Sequence, residues 1–460
     1  MPDNETPRLW LSLDQLSSHR GGNPSSDLAS GSGQHRLAAS GSPPAKGDQN
    51  PSAAAQSRSL IAACVTHALH DGYTDGLYAF LPVWQAQFGL SYAALAVVRA
   101  LYFGTMGGLQ IPADRALRGL SPRAALILST VVASSGLSIM ALPFGFAGLC
   151  VGLVVAGIGS SIQHPRGSML VTDTFGQESR RPLGIYNFSG DLGKAALPAL
   201  VAVLLPILAW RPVLGLIAAL GIALAVALLS LAPAAVASEN ATGKAASGRC
   251  RRGFGVLATI GALDTATRMG YLLFLPFLIH GQRGDSSTVG IALALLFIGG
   301  AFGKAACGWL GERLGVVRSV MLTEAATASL IGVTLCTPLT PTLILLPLLG
   351  IVLNGTSSVL YGTVPELSEG DTGRAFAIFY TSVIGSGGIA PILYGVVADR
   401  SNQTAGVLAS AATAALIVPL VLALRPHLRS CTPDRARDPS HTTTTQRFAK
   451  WIPSPRRRSF

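Results

Sequence analysis

Acidic and basic side chains recur inside long apolar stretches of this chain, where a charge is costly to bury. The candidates are His67, His70, Asp71 and Asp75 in the first stretch, and Arg99, Asp191, Lys194, Asp264 and Arg268 in later ones. Helical spacing places His67, Asp71 and Asp75 on one stripe, close to Tyr78. A carboxylate in a low-dielectric environment can take up a proton, and a nearby histidine can share it. We therefore predict proton coupling at Asp71, supported by Asp75, His67 and His70.

Two further acids have a base one helical turn away, Lys194 three residues after Asp191 and Arg268 four residues after Asp264. Asp71 lies about 18 Å from the start of its stretch, and the other two acids about 15 Å. The acids could form structural ion pairs, or their protonation could free the bases for an anionic substrate. On the second interpretation the predicted substrate-binding residues are Asp191, Lys194, Asp264, Arg268, Arg99, Asn187 and Tyr78. We expect Lys304 and Glu324 to reach the membrane interface, or to pair with each other across spans 8 and 9.

The composition is typical of a membrane protein. The chain has 460 residues, of which 49% are hydrophobic and only 12% are charged, with a mean hydropathy of +0.47, whereas soluble domains carry about a quarter charged residues. Runs rich in Gly, Ala and Leu, each near the ~20 residues that cross a bilayer, predict twelve transmembrane helices. The predicted spans are 59–87, 92–112, 122–143, 145–170, 181–208, 211–232, 254–281, 287–310, 316–337, 340–365, 373–397 and 403–424.

The distribution of basic residues predicts the orientation and the domains. The net charge of +12 lies mostly in the tails and in alternate loops, which favours an inner (plasma) membrane protein with both termini cytoplasmic and no nucleic-acid partner. We predict a disordered cytoplasmic tail over 1–57, a six-helix half over 58–232, a cytoplasmic linker over 233–253, a second half over 254–425 and a basic cytoplasmic tail over 426–460. The six scattered cysteines show no metal-ligand spacing, and we expect no metal.

Two regions of the chain repeat at a nearly constant offset. Phe80-Leu81-Pro82 recurs as Phe274-Leu275-Pro276, and Asp173, Arg181, Ile185, Ser189 and Pro198 recur as Glu366, Arg374, Ile378, Ser382 and Pro391. Two parallel six-helix halves, related by an axis along the membrane normal, resemble the major facilitator fold.

A loop pattern of glycine, acid and base strengthens this resemblance. Gly308-Trp309-Leu310-Gly311-Glu312-Arg313-Leu314-Gly315 matches it well, and Asp114-Arg115 form a weaker copy. An acid can cap a helix N-terminus of the other half. We therefore predict that Asp114 lies near Arg374 and Glu312 near Arg181, closing the cytoplasmic side when the protein faces outward. The predicted gate comprises Asp114, Arg115, Glu312, Arg313, Arg181, Arg374 and His164; simple topology-fixing charge is the alternative.

Three stretches are similar to the fosmidomycin-resistance group of drug exporters. They are Thr66-His67-Ala68-Leu69-His70-Asp71 leading to Phe88-Gly89-Leu90-Ser91-Tyr92, Gly157-Ile158-Gly159-Ser160-Ser161-Ile162-Gln163-His164-Pro165, and Ser189-Gly190-Asp191-Leu192-Gly193. The chain departs from that group at Arg166, where an acid is usual, and at Lys194, which is usually uncharged. These charge changes suggest a different substrate.

Several functions fit these features. Proton-driven efflux (antiport) of a small anionic or amphiphilic drug or metabolite leads, and symport that imports an organic anion or sugar is the alternative. A membrane sensor that transports nothing would leave the buried charges unexplained. An enzyme is not expected, because the sequence contains no catalytic motif. We expect a monomeric protein in the lipid bilayer that binds a small molecule and uses the proton gradient, with no cofactor.

Overall fold

The computed structural model describes residues 52–117, 119–231, 251–367 and 372–430, and the regular structure within them is helical. The prediction of an all-helical protein is therefore confirmed for this part of the chain. The helices are α1 (Ala53–Gly76), α2 (Leu81–Phe88), α3 (Tyr92–Ala116), α4 (Pro122–Ala141), α5 (Gly145–Phe175), α6 (Arg180–Leu204), α7 (Trp210–Leu231), α8 (Arg251–Gly281), α9 (Ser286–Leu314), α10 (Val316–Cys336), α11 (Leu339–Thr363), α12 (Thr372–Arg400), α13 (Gln403–Leu422) and α14 (Arg425–Ser430).

Ten helices in the described ranges have the length and hydropathy of a membrane span. Helices α1 and α6 are of similar length but do not meet these criteria, because charged and polar residues such as His67, Asp71, Asp191 and Lys194 lower their hydropathy. The first predicted span is interrupted by a short 3-10 helix, Leu77–Phe80, between α1 and α2. Pro82 lies in the first turn of α2. The N–H groups of a first turn make no hydrogen bond within the helix, so proline is tolerated there.

Some helices extend past the predicted boundaries. Helix α1 begins at Ala53, inside the segment assigned to the N-terminal tail, and α8 begins at Arg251, inside the predicted linker. Helix α14 lies at the start of the predicted C-terminal tail. The rest of both tails and most of the linker lie outside the described residues.

Close packing between helices depends on small residues. Helices α1 and α6 approach so closely that a methyl group on Gly193 would collide with the carbonyl oxygen of Ala68. Gly190, one turn earlier, faces the side chains of His67 and Asp71, and a Cβ there would lie 2.6 Å from Asp71 Oδ2. Glycine permits such close approach of helices. These two positions therefore bring the charged face of α6 against that of α1.

A hydrogen-bonded contact joins α3 to α12 at one end of the bundle. The carboxylate of Asp399 accepts hydrogen bonds from the backbone N–H groups of Tyr92 at 2.8 Å and Ala93 at 3.0 Å, the first residues of α3. The ring of Tyr92 packs on Phe274 and Phe277 of α8, with centroids 5.5 and 5.1 Å apart. This contact holds helices of the first and second parts of the chain together where α2 meets α3.

Candidate functional site

The carboxylate of Asp71 lies among three bases. Lys194 Nζ is 3.3 Å from Oδ2, His67 Nε2 is 3.7 Å from the same oxygen, and His164 Nε2 is 3.8 Å from Oδ1. Helices α1, α5 and α6 supply these groups, and the side chain of Asp71 is only 10% exposed. An acid buried this deeply needs a positive partner or a proton, and the ammonium group of Lys194 is such a partner.

Polar and aromatic neighbours orient His67. Its ring stacks on Tyr186, with centroids 4.1 Å apart, and its Nδ1 lies 3.5 Å from Gln163 Oε1. With Nδ1 facing the amide oxygen, Nε2 points to Asp71. The three side chains of His67, Asp71 and His164 bring ligand atoms within 4.8 Å of one another, a spacing that a metal ion could use. The ammonium group of Lys194 is the cation that the structure describes beside that carboxylate.

His70 belongs to a separate hydrogen-bond network. Its Nδ1 is 2.9 Å from Ser160 Oγ and its Nε2 is 3.4 Å from Thr130 Oγ1, while Tyr102 lies 2.7 Å from the same serine hydroxyl. The structure thus places His70 against α4 and α5, with both ring nitrogens occupied by hydroxyl groups. This arrangement fits a structural role better than the predicted sharing of the Asp71 proton.

Asp191 extends the charged network toward α9. Its Oδ1 lies 3.7 Å from Lys194 and 2.7 Å from Lys304. The predicted pairing of Asp191 with Lys194 is present. The expectation that Lys304 reaches the interface or pairs with span 9 is wrong, because its ammonium group turns inward to α6. A continuous series runs Asp71, Lys194, Asp191 and Lys304, with the acids buried and the lysine side chains 27% and 36% exposed.

Arg99 and Asp75 form a buried pair beside aromatic rings. Their closest N–O distance is 3.8 Å, and the guanidinium carbon of Arg99 lies 4.7 Å from the ring centre of Tyr78 and 5.3 Å from that of Phe103. None of the three guanidinium nitrogens has a hydrogen-bond partner among the described residues. Tyr78 and Arg99 also line a small cavity between α3, α8 and α12. The described contacts of Arg99 are thus mainly with the charge of Asp75 and with aromatic rings.

Asp264 does not join the Asp71 cluster as depth counting suggested. Its carboxyl group interacts with that of Glu324 on α10, and both are almost fully buried. No ion pair joins Asp264 to Arg268 among the described side chains; Arg268 Nη2 instead lies 3.4 Å from Thr265 Oγ1. The expectation that Glu324 pairs with span 8 is also wrong, because its partner is on α8, which corresponds to span 7.

The predicted gate is not assembled in the part of the chain that the structure describes. Asp114 pairs with Arg166 of α5, at 3.3 Å to its carboxylate and 2.8 Å to its carbonyl oxygen. The side chain of Arg374 lies outside the described residues. The side chains of Glu312, Arg181, Arg115 and Arg313 are exposed, and no described ion pair joins Glu312 to Arg181. His164 lies at Asp71, so it belongs to the charged site, and Asn187 is exposed on α6.

The sequence of this helical protein matches a known family. The profile described as Major Facilitator Superfamily matches residues 63–261 and again 257–453. The chain belongs to the major facilitator superfamily. It is thus a secondary transporter of that type, and a membrane sensor that transports nothing is not supported.

A transporter of Escherichia coli is similar in sequence to part of this chain. It is 26% identical over 141 residues to a "Probable L-galactonate transporter" of Escherichia coli (strain K12), and the match spans 30% of this chain and 31% of that relative.

Solved structures share the fold at 14% identity. A bacterial homolog of the human lysosomal transporter Spinster, inward-facing and unoccupied, has a TM-score of 0.65 over 84% of this chain and 100% of its own. A POT family transporter in complex with a thioalcohol-conjugated peptide has a TM-score of 0.67 over 81% and 96%. A mutant of the nucleoside transporter NupG has a TM-score of 0.63 over 82% and 100%.

Proposed function

We propose that this superfamily member moves a small organic anion together with a proton. The observation that carries the proposal is the placement of two partly exposed lysines, Lys194 and Lys304, against two buried acids, Asp71 and Asp191. Protonation of an acid removes the partner of a lysine and leaves a positive charge that favours an anion. A carboxylate of the substrate then replaces the carboxylate of the protein.

The direction of coupling follows from this exchange. When a proton raises the affinity for the anion, the anion raises the affinity for the proton by the same factor. This positive linkage favours binding of the proton and the anion to the same state of the protein, which is the basis of symport. Antiport needs the opposite, competition between proton and substrate. We therefore favour symport of an organic anion over efflux as the mode of this site.

The substrate class is a small carboxylate, such as a sugar acid. The lysine-rich site supports a negative charge on the substrate, and the named substrate of the curated relative, galactonate, is itself a small hydroxylated carboxylate. Hydroxyl groups on such a substrate would suit the polar neighbours of His67, Gln163 and Tyr186.

Proton-coupled efflux of an anionic or amphiphilic drug is the second candidate. Three of the motif residues shared with the fosmidomycin-resistance group, His67, Asp71 and His164, meet at the Asp71 carboxylate. The same charged site could run in antiport if the anion displaced the proton rather than following it.

The proposed architecture has twelve spans in two six-helix halves, with both termini cytoplasmic in the inner membrane. It adds α1 and α6 to the ten apolar spans, with α1 and α2 counted as one. Polar helices of this kind can cross a membrane where their charges face the protein interior. The repeat at a nearly constant offset supports the two halves, and the basic loops support the orientation.

Transport in vesicles with an imposed pH gradient tests the function. Purified protein is reconstituted, and uptake of labelled sugar acids is followed with the gradient in either direction. Symport predicts accumulation on the alkaline side, and antiport predicts expulsion from it. Asp71→Asn should abolish the response to the gradient, whereas Asp285→Asn, an acid in the α8–α9 connection outside the site, should leave it intact. Gradient-driven uptake that persists in Asp71→Asn would refute the role of Asp71.

A further inference from the structure

The second buried acid pair, Asp264 on α8 and Glu324 on α10, is not used by the Asp71 site. Asp264 is 3% exposed and Glu324 is 1% exposed. Their carboxyl groups interact directly, and Glu324 Oε2 has no hydrogen-bond partner among the described residues. Two carboxylates in contact cannot both stay ionised in so dry an environment. A proton between them removes the repulsion and supplies the missing hydrogen bond.

The groups that face this pair come from three helices. Arg268 on α8 acts on both acids through its charge, without an ion pair among the described side chains, and Thr356 on α11 lies beside Glu324. Cys307 on α9 and Tyr361 on α11 are other titratable side chains that interact with the pair. Arg268 is therefore the one cation described close to the two acids. One positive charge balances one negative charge, which is the charge of a carboxyl–carboxylate pair that shares a single proton.

The position of Asp264 in the sequence supports a role related to that of Asp71. The two aspartates are 193 residues apart (264 − 71), the offset at which the two halves repeat. At the same offset the bases His67, His164 and Lys194 are replaced by Ile260, Ser357 and Gly387. The second half thus keeps the acid without its bases, and Glu324 takes the place beside it.

From this geometry we infer that Asp264 and Glu324 together bind one proton at neutral pH and form a second proton site of the protein. The existence of this proton does not depend on the proposed transport function; only its use during transport rests on that proposal.

Infrared spectroscopy of the reconstituted full chain tests the shared proton. The wild type at pH 7 should show a carboxylic-acid C=O band that shifts on exchange into deuterated water. Asp264→Asn and Glu324→Gln each leave a single carboxyl group facing Arg268, which can ionise against it, so the band should be lost in at least one of them. Glu366→Gln, an exposed acid, and Asp71→Asn are the matched controls and should retain the band.

The outcomes separate this inference from the proposed function. Absence of the band in the wild type, or equal intensity in the wild type and both variants, would overturn the shared proton. Thermal unfolding in detergent checks that both near-isosteric variants are folded. A protein that retains the band but shows no response of uptake to a pH gradient would refute proton-coupled transport and leave the shared proton standing.

Discussion

At the scale of single residues, the proposed function makes a substrate carboxylate compete with the carboxylates of the protein for two lysines. Lys194 is shared between Asp71 and Asp191, whereas Lys304 contacts Asp191 at 2.7 Å. A lysine divided between two acids can release one without becoming unpaired. Lys194 is therefore the better first contact for an anion, and Lys304 can follow once Asp191 is free.

The first prediction concerns Lys194. Lys194→Gln removes the charge shared by the two acids and should raise the KM for a carboxylate substrate by roughly tenfold to a hundredfold, the range expected from losing a charge-assisted hydrogen bond. Initial uptake rates across a substrate series measure it. Arg425→Gln, which removes an exposed basic residue at the start of α14, is the control. An unchanged KM would exclude Lys194 from anion binding.

The second prediction concerns the buried pair of Asp75 and Arg99. Asp75→Asn leaves the guanidinium group buried without its counter-charge and should lower the free energy of unfolding by about 3 kcal/mol. Adding Arg99→Met removes the orphaned charge and should recover part of that loss. A double-mutant cycle by thermal unfolding in detergent gives the coupling. Additive effects would mean that the ring contacts, rather than Asp75, hold Arg99.

At the scale of helices, α6 fixes the geometry of the site through its glycines. Gly190 and Gly193 lie on the face turned to α1, whereas Gly184 has nothing within 4 Å of the position its Cβ would take. The same helix therefore contains a glycine that has no room for a side chain, Gly193, and one that has room, Gly184. This contrast allows helix propensity to be separated from helix–helix packing.

The third prediction uses that contrast. Gly193→Ala should lower stability by about 1–3 kcal/mol, because the added methyl group forces α6 away from Ala68. The same movement should weaken the contact between Lys194 and Asp71 and reduce transport. Gly184→Ala should be neutral or slightly stabilising, since alanine favours a helix. Unfolding temperature and uptake are measured on both, and equal behaviour would refute the packing argument.

The fourth prediction concerns the start of α9. The Asp285 carboxylate accepts hydrogen bonds from the Thr288 side chain at 2.6 Å and its backbone N–H at 2.8 Å. These bonds lower the pKa of Asp285. Its contribution to stability is therefore complete above the unfolded pKa of about 3.9 and is lost as pH falls through the lower folded value.

Asp285→Ala should accordingly cost about 1 kcal/mol at neutral pH, the usual value of an N-cap. The difference from the wild type should shrink as the pH falls below about 4, where the unfolded carboxylate begins to take up a proton. Asp285→Asn keeps an N-cap acceptor and should lose little. Chemical or thermal unfolding at several pH values measures the series, and a gap that is independent of pH would contradict the assignment.

At the scale of the whole molecule, the described contacts join helices of the two parts of the chain at the end where α2 meets α3. Sequence reasoning placed acids at helix N-termini of the other half, and the structure has such a contact, but it is made by Asp399 rather than by Asp114 or Glu312. The gate predicted at the opposite end stays a prediction, and we expect it to form in a second conformation of the protein. The two sets of contacts would then exchange during the cycle.

The fifth prediction tests the Asp399 contact. Asp399→Ala removes both hydrogen bonds to the start of α3 and should shift the conformational equilibrium toward the state open at that end. A cysteine placed at Gln403, which lies near Tyr92, should then react faster with a membrane-impermeant thiol reagent. Asp399→Asn can still accept one bond and should have a smaller effect. Equal labelling in all variants would show that this contact does not set the equilibrium.

The sequence predicted the helical membrane architecture because hydropathy and length are local properties. Depth counting along helices placed Asp71, Asp191 and Asp264 at one level; the structure joins the first two through Lys194, whereas Asp264 lies apart beside Glu324. Depth counting could not find Lys304 as the partner of Asp191, or Glu324 as the partner of Asp264, because those contacts depend on the rotation of helices that are distant in the chain. Tyr186 and Gln163 orient His67 but are uncharged, so neither was predicted as a site residue, although Gln163 lies within the quoted motif that ends at Pro165.

The charge balance of the Asp71, Lys194, Asp191 and Lys304 series has a consequence for energetics. The two lysines and the two acids together have no net charge. If one proton neutralises one of these acids and one substrate monocarboxylate takes its place, the two charges that cross the membrane cancel and no net current flows. Such a cycle would be insensitive to membrane voltage, and its accumulation ratio would be limited to about a factor of ten for each unit of pH difference. If the proton of Asp264 and Glu324 also moved with the substrate, each turnover would carry one positive charge and would respond to voltage.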